Sequence, residues 1–271
     1  MIPDAFAIIG DPIDHSLSPT IHNAAFRRLG MNCTYIAYRI QKGELPAGVE
    51  SLLKLHIRGF NVTIPHKTDI VNLLDELDES ARIAGAVNTV RIKDSSMTGY
   101  NTDIDGFMTP LRRRIDVLGT RVLVLGAGGA ARAAVVGLVA EGASHIKICG
   151  RTIQNARAIA AIPDRTSTTS YGPMPDKVGA GYDIVVNATP LGMGGVGVPT
   201  DLADITPDSI VYDMVYKPVT TTFLKTASEA GCRIIHGWEM LLEQAVLAFE
   251  IWHDIKAPQD VMKRALLGGF A

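Results

Sequence analysis

The run Gly126-Ala127-Gly128-Gly129-Ala130-Ala131 stands between a nearly continuous apolar stretch, Arg121 to Leu125, and a small-residue stretch, Ala130 to Ala140. The apolar stretch reads as a buried strand of the parallel type and the small-residue stretch as a helix. Strand, glycine turn and helix in that order fit the pattern G-x-G-x-x-A. The first glycine permits the tight turn, the second lets a pyrophosphate approach the backbone, and Ala131 lets helix and strand pack closely. The free N–H groups and dipole at the helix start then favour a bound anion. A dinucleotide is the expected ligand, and a plain tight turn is the competing structural reading.

The next strand separates the cofactors. An NAD enzyme usually ends it with an acid that accepts hydrogen bonds from the ribose 2′-OH. Here His145 to Cys149 is followed by Gly150-Arg151-Thr152, with no acid. An arginine can pair with a 2′-phosphate and stack on adenine. A merely solvated Arg151 would sit at a helix start, where the dipole is mildly unfavourable to a cation. NADP is therefore expected.

Along the 271 residues, short β-rich runs alternate with helical patterns, the mark of α/β folds with mainly parallel sheets. Strands are expected at Ala5 to Ile9, Cys33 to Tyr38 and Gly59 to Ile64, with helices at Pro19 to Leu29, Leu45 to Leu55 and Lys67 to Leu74. Val87 to Lys93 and Met97 to Asn101 read as a hairpin closed at Asp94-Ser95-Ser96. Ile104 to Leu118 reads as a connecting helix ended by Gly119-Thr120. Further strands are expected at Ile184 to Asn187, Ile210 to Asp213 and Arg233 to Ile235, and helices from Trp238 onward with a break at Ala257-Pro258. The stretch from Ala161 to Gly181, rich in Pro, Gly, Ser and Thr, gives the weakest pattern. This divides the chain into an N-terminal α/β substrate domain, residues 1–103, and a C-terminal Rossmann NADP-binding domain, residues 104–237. The last helices, 238–271, are expected to complete the first domain, because Leu242, Val246, Phe249 and Trp252 form a stripe that must be buried.

An apolar share of 47% and a net charge of −2 give no electrostatic reason to expect nucleic acid or an anionic membrane. The basic run Arg112-Arg113-Arg114 reads as a solvated helix end. Cys33, Cys149 and Cys232 lie far apart, in no zinc or disulfide spacing, and the seven histidines form no metal set. No apolar run is long enough for a membrane span, and the N-terminus shows no leader pattern, so a cytoplasmic protein is expected.

Five places along the chain carry candidate chemistry. In Asp14-His15-Ser16-Leu17-Ser18-Pro19, Ser18 reads as a helix N-cap with Pro19 at the first helical position. Ser16 adds a second hydroxyl beside a helix start, which suits a small carboxylate. In Asn61-Val62-Thr63-Ile64-Pro65-His66-Lys67, Asn61 and Thr63 share a strand face by alternation. Lys67 then falls at the carboxyl edge of the sheet, where open α/β sheets bind ligands. His66 is turned away from Thr63 and reads as structural. Asp103, in Asn101-Thr102-Asp103, either caps the following helix or faces Lys67. A Lys–Asp pair suits carbonyl reduction, in which charge develops on oxygen and a cationic lysine stabilises it or donates the proton. Asn88 opens an apolar strand and needs partners, and Gln244 lies on the apolar side of its helix.

In this order and spacing, and together with Asn187-Ala188-Thr189-Pro190, Asp213-Met214-Val215-Tyr216 and Met240 to Ala245, these segments resemble the shikimate dehydrogenase family along nearly the whole chain. The resemblance implies a substrate domain and a Rossmann domain with a cleft between them, and NADP-dependent, reversible reduction of 3-dehydroshikimate to shikimate in aromatic amino acid biosynthesis. It implies Ser16 and Ser18 as carboxylate ligands, and Thr63, Asn88, Asp103, Tyr216 and Gln244 as ligands of the hydroxyl and keto groups. Lys67 and Asp103 would be the acid/base pair. Gly126, Ala127, Gly128, Gly129 and Ala130 would carry the pyrophosphate, Arg151 and Thr152 the 2′-phosphate, and Thr189, Met214 and Gly237 the nicotinamide side.

One departure stands out. The family's NADP form usually follows Asn-Arg-Thr with a Lys or Arg three residues later, whereas Gly150-Arg151-Thr152 is followed by Ile153-Gln154-Asn155, with Arg157 near. That leaves dual NAD/NADP use open. The alternatives are a quinate/shikimate enzyme using NAD and, in another class, a catalytically silent dinucleotide- or ligand-binding regulator. A small-molecule substrate and a monomer or homodimer are expected.

Overall fold

The computed structural model describes residues 3–162 and 167–270, so residues 163–166 of the weakly patterned stretch lie outside the described residues. The chain forms two compact units, Met1–Asp103 with Leu242–Ala271, and Ile104–Leu241.

The first unit is built on β1 (Asp4–Gly10), α1 (Ser18–Leu29), β2 (Cys33–Arg39), α2 (Leu45–Lys54), β3 (Ile57–Val62), β4 (Glu76–Leu77), α3 (Glu79–Ala84), β5 (Thr89–Lys93) and β6 (Ser96–Tyr100). Its sheet has the order β2-β1-β3-β5-β6-β4. β1 pairs parallel with β2 and β3, while β5 pairs antiparallel with β3 and β6. The β5–β6 hairpin closes through Asp94 and Ser95, whose φ values of 50° and 66° are those of a two-residue turn that matches strand twist. Alternation along β1 sends Ala7 and Ile9 into one core with Leu52, Phe60 and Val90. On the other side Phe6 meets Phe26 and Trp252, with ring centroids 5.6 and 5.1 Å away.

The segment Lys67 to Leu74, expected as a helix, forms only a 3₁₀ stretch, Asp69–Leu73. Thr68, Ile70 and Val71 are β-branched and poor helix formers, and Lys67 O accepts instead from Val87 N at 2.8 Å. α1 begins at Ser18 with Leu17 as its N-cap, so Ser18 is not the capping residue. Ser16 Oγ accepts from Ser18 N at 3.3 Å in its place.

The second unit holds α4 (Asp103–Arg112), whose first residue belongs to the first unit, then β7 (Arg121–Leu125), α5 (Gly129–Ala140), β8 (His145–Cys149), α6 (Ile153–Ala160), β9 (Thr168–Gly172), β10 (Ile184–Asn187), β11 (Ile210–Asp213), α7 (Thr222–Glu229) and β12 (Arg233–Ile235). Its sheet is parallel throughout, in the order β12-β11-β10-β7-β8-β9. That is the doubly wound dinucleotide-binding order, with the crossover reversal beside β7. Val122 and Val124 enter one core, and Leu123 and Leu125 the other, so β7 is apolar on both faces because both are covered.

α4 stops at Arg112, short of the expected Leu118. Asp116 Oδ1 accepts from Leu118 N at 3.0 Å, a local bond that competes with helix continuation. The basic run is exposed at Arg112 and Arg113, as expected, and also ion-paired: Arg112 Nε lies 2.5 Å from Glu141 Oε1, and Arg114 Nη2 lies 2.9 Å from Glu239 Oε2. β9, not anticipated, is an edge strand with half-exposed side chains. Cys149 and Cys232 are buried, Cys33 is half-buried, and all three are free.

α8 (Gly237–His253) and α9 (Gln259–Gly268) end the chain, and the boundary between the units falls within α8. In the first unit, Trp252 Nε1 donates to Val90 O at 2.9 Å and Arg91 pairs with Asp254. Trp252→Ala should cost about 3–5 kcal/mol, as removal of a buried aromatic does. Urea unfolding followed by circular dichroism measures it, and a loss below about 1 kcal/mol would show that α8 does not complete this core.

Beside Trp252, His22 is fully buried and stacked on Tyr35 with ring centroids 4.5 Å apart. Burial, with His253 adding to it, lowers its pKa to about 3, and burial lowers that of His253 to about 4. Unfolded, each imidazole protonates near 6.5, so between that pH and the folded value the unfolded chain binds more protons. The contribution of these two histidines is therefore complete above pH 6.5 and falls as pH drops, for His22 by about 1.4 kcal/mol per unit. His22→Phe should flatten that slope in denaturation curves taken from pH 7 to pH 5, and an unchanged slope would refute the assignment.

Candidate active site

Lys67 stands on the turn after β3 and Asp103 opens α4. The two meet, Nζ to Oδ2, at 2.5 Å, with side chains 17% and 6% exposed. Spacing alone left open whether Asp103 capped its helix or faced Lys67, and the structure turns it toward Lys67. Asn88 is buried, and its Nδ2 donates to Asp103 Oδ1 at 2.8 Å. Its Oδ1 accepts from Thr102 N at 2.8 Å, which fixes which way the amide faces. Asn101 adds a brace, donating to Ala86 O at 2.8 Å and accepting from Asp103 N at 3.2 Å. Each carboxylate oxygen of Asp103 thus has a donor, and the Lys67 ammonium retains N–H groups beyond the one used in the pair. A cation so placed can meet an oxygen on which negative charge develops.

Ser16 and Ser18 lie at the start of α1, Ser16 half-buried and Ser18 buried. Thr63 is half-buried one residue past the end of β3, while Asn61 is buried within the strand. The strand alternation therefore stops one residue short of Thr63. His66 is buried and its Nε2 lies 2.7 Å from Ile40 O, a structural contact. Gln244 is buried on α8.

In the second unit, Gly126 has a φ of 117°, and a Cβ there would sit 2.7 Å from Ala188 O. Only glycine allows this turn. Gly128 is the N-cap of α5, the helix has no acid in its first turn, and a Cβ built at Gly128 meets nothing within 4 Å. Gly126, Ala127, Gly128, Gly129 and Ala130 therefore form a helix start open to a phosphate, and the residues present fit a dinucleotide. Arg151 and Thr152 are exposed at the start of α6, and Arg157 is exposed in its last turn. These cations and hydroxyl, with no acid among them, fit a 2′-phosphate.

Thr189, Met214 and Gly237 are tied to one another. Asn187 Oδ1 accepts from Thr189 N at 3.0 Å and Thr189 Oγ1 at 2.7 Å, and Asn187 O accepts from Met214 N at 2.9 Å. A Cβ at Gly237 would come within 2.5 Å of the carbonyl oxygens of Met214 and Val215, so the backbone there requires glycine. Beneath these residues lies Asp213, whose role the sequence reading missed. Its Oδ1 accepts from Asn187 Nδ2 at 2.9 Å and Val215 N at 3.0 Å, and its Oδ2 accepts from Thr221 Oγ1 at 2.6 Å. Burial raises its pKa to about 6 despite these bonds. The available signal was a polar residue, Asn187 or Asp213, closing an otherwise apolar strand. Tyr216 is half-buried on the loop after β11.

Comparison with known proteins finds matches in both units. Residues 8–90 match the shikimate dehydrogenase substrate binding domain, 111–191 the shikimate / quinate 5-dehydrogenase family, and 237–267 the shikimate 5'-dehydrogenase C-terminal domain. The shikimate dehydrogenase (NADP(+)) of Nitrosopumilus maritimus (strain SCM1) is 52% identical over 269 residues, 98% of each chain. Among solved structures, shikimate 5-dehydrogenase from Thermus thermophilus, in complex with NADP(H) and shikimate, is 31% identical with a TM-score of 0.88, covering 98% of this chain and 99% of that one. The ligand-free 5-ketofructose reductase of Gluconobacter sp. strain CHM43 is 34% identical with a TM-score of 0.89, covering 98% of each. The chain belongs to the shikimate dehydrogenase family.

Proposed function

We propose that the protein is an NADP-dependent oxidoreductase that reversibly reduces 3-dehydroshikimate to shikimate, in aromatic amino acid biosynthesis. The observation that carries this reading is the Lys67–Asp103 pair, 2.5 Å apart in a chain 52% identical to a shikimate dehydrogenase (NADP(+)). When bound, NADPH supplies the hydride.

Lys67 donates a proton to the carbonyl oxygen as charge develops there, and takes it back in the reverse direction. Asp103 orients Lys67 and accepts a hydrogen bond from a substrate hydroxyl with a remaining lone pair. Ser16 and Ser18 hold the carboxylate beside the start of α1. Thr63, Asn88, Tyr216 and Gln244 bind the hydroxyl and keto groups. Gly126 to Ala130 carry the pyrophosphate, and Arg151 with Thr152 holds the 2′-phosphate. Thr189, Met214 and Gly237 line the nicotinamide side. Residues 1–103 with the C-terminal helices act as the substrate domain, and the second unit acts as the dinucleotide domain. We place the protein in the cytoplasm, as a monomer or homodimer free of nucleic acid and membrane. A net charge of −2 gives nucleic acid and anionic membranes no electrostatic attraction to the chain.

Initial rates at 340 nm with NADP⁺ or NAD⁺, and shikimate or quinate, test the reading. Saturable reduction of NADP⁺ by shikimate is expected. Preference for NAD⁺ or quinate would move the chain to the sister activity, which the missing cation after Thr152 keeps as the second reading. No turnover would leave a binding protein.

Lys67→Ala should lower kcat about 10²- to 10⁴-fold, as loss of a proton-transfer group does, with a much smaller change in shikimate KM. A rate within twofold of the parent would remove Lys67 from the chemistry. Arg151→Ala should raise the KM for NADP⁺ about 10- to 100-fold, as loss of a charge-assisted phosphate contact does, and leave that for NAD⁺ unmoved. Equal effects on both cofactors would show that Arg151 does not read the 2′-phosphate.

A further inference from the structure

Tyr35 lies in β2, 2% exposed, and its hydroxyl also meets the side chain of Ser18. Its hydroxyl lies 2.6 Å from Asn61 Oδ1. Asn61 Nδ2 lies 2.9 Å from Thr89 Oγ1, which lies 3.1 Å from Asn88 Oδ1, and Asn88 Nδ2 lies 2.8 Å from Asp103 Oδ1. The direction of each bond follows from what its members can do. A carboxylate only accepts, so Asn88 presents its amide nitrogen to Asp103 and its oxygen to Thr102 N. Asn61 gives one N–H to the backbone oxygen of Asn88 at 3.1 Å and another to Thr89, so its oxygen faces Tyr35, which must donate. Thr89 accepts from Asn61, and its own proton goes to Asn88 Oδ1 or, at 3.2 Å, to Thr102 Oγ1, itself bonded to the Asn88 amide. With the Thr89 proton on Asn88 Oδ1, the donors along Tyr35, Asn61, Thr89 and Asn88 run one way, toward the carboxylate.

We propose that Tyr35 is a positioning residue for the Lys67–Asp103 pair, acting through Asn61, Thr89 and Asn88. The proposal rests on the reading that this pair works on the substrate. Buried hydrogen bonds aligned head to tail polarise one another, so each strengthens the next. The Tyr35 proton satisfies the oxygen of an Asn61 amide whose nitrogen meets the Asn88 carbonyl and Thr89, and so tightens the Thr89 hydroxyl against the Asn88 amide that faces Asp103. Without that proton, Asn61 Oδ1 is buried with no donor, and the amide is held only through its nitrogen, by the Asn88 carbonyl and Thr89. Small losses of alignment at a reacting group reduce the rate more than they reduce binding.

The test is Tyr35→Phe, which keeps the ring and its stack on His22, together with Thr89→Val, which breaks the chain midway, and Thr89→Ser, which keeps the hydroxyl. The first two should each lower kcat for shikimate about five- to twentyfold, with the KM for NADP⁺ within twofold of the parent. Thr89→Ser should retain parental kcat. The double variant Tyr35→Phe/Thr89→Val should be no slower than the slower single, because one break already interrupts the chain. Parental kcat in Tyr35→Phe, or multiplied losses in the double variant, would overturn the proposal. If Tyr35→Phe does not fold, the Thr89 pair decides alone, and equal kcat in Thr89→Val and Thr89→Ser would overturn it. A parent enzyme that turns over NADP⁺ with shikimate while these variants match it sinks this role alone. A parent without turnover sinks the function reading, and this role with it.

Discussion

A carboxylate taken out of water costs several kcal/mol unless charge and hydrogen-bond donors surround it. Asp103 meets that condition with an ammonium on one oxygen and the Asn88 amide on the other. Much of the first unit's polar interior serves these two contacts. Asn88 must face a set way, so Thr102, Thr89 and Asn61 are buried around it. Asn101 braces the backbone at the start of α4, and Val87 N holds the carbonyl of Lys67. Removing any one of these would leave a donor or acceptor unmatched in a place that water does not reach, which explains why so many small polar residues occupy an otherwise apolar sheet edge.

The two sheets use the same rule at different stringency. In both, the candidate residues follow the carboxyl ends of parallel strands: Ser16 after β1, Lys67 after β3, Gly126 after β7, Arg151 after β8, Thr189 after β10, Met214 after β11 and Gly237 after β12. Strand ends suit this work because the strand body is locked by its ladder while the residue just past it is free to carry chemistry. In the second unit that residue is often a glycine or a backbone amide. Its loops are anchored from below by Asn187, Asp213 and Thr221, which acts also as the N-cap of α7.

Legibility in the sequence followed burial. Arg121–Leu125, His145–Cys149, Ile184–Asn187, Ile210–Asp213 and Arg233–Ile235 are strands within the bounds that pattern alone set. β7, β10 and β11 are apolar runs buried along nearly their whole length, while β8 alternates at Lys147 and β12 starts on exposed Arg233. β9 was invisible because an edge strand reading Thr168-Thr169-Ser170-Tyr171-Gly172 buries little and so shows no apolar pattern. The segments after Lys67 and after Arg112 misled for the opposite reason: their apolar residues serve tertiary contacts without helical geometry. At the site, motifs identified the residue types, and strand-end positions placed them on the right edge. The meeting of Lys67 and Asp103 joins a turn after β3 to the start of α4, and only the register of the β3–β5–β6 pairing brings these together. The sense of the Asn88 amide, set by Thr102 N, lies beyond any spacing argument.

The boundary within α8 makes the first unit discontinuous in sequence, because residues 1–103 are joined to 242–271 only after the whole of 104–241 has been made. A chain leaving the ribosome therefore completes its second unit first. Until Trp252 arrives, the Phe6 and Phe26 face of the first sheet and the carbonyl of Val90 lack the aromatic cover and the donor that close them. Synthesis order thus gives the nascent protein an interval in which the sheet that leads to Lys67 is present but the aromatic cover from α8 is still untranslated.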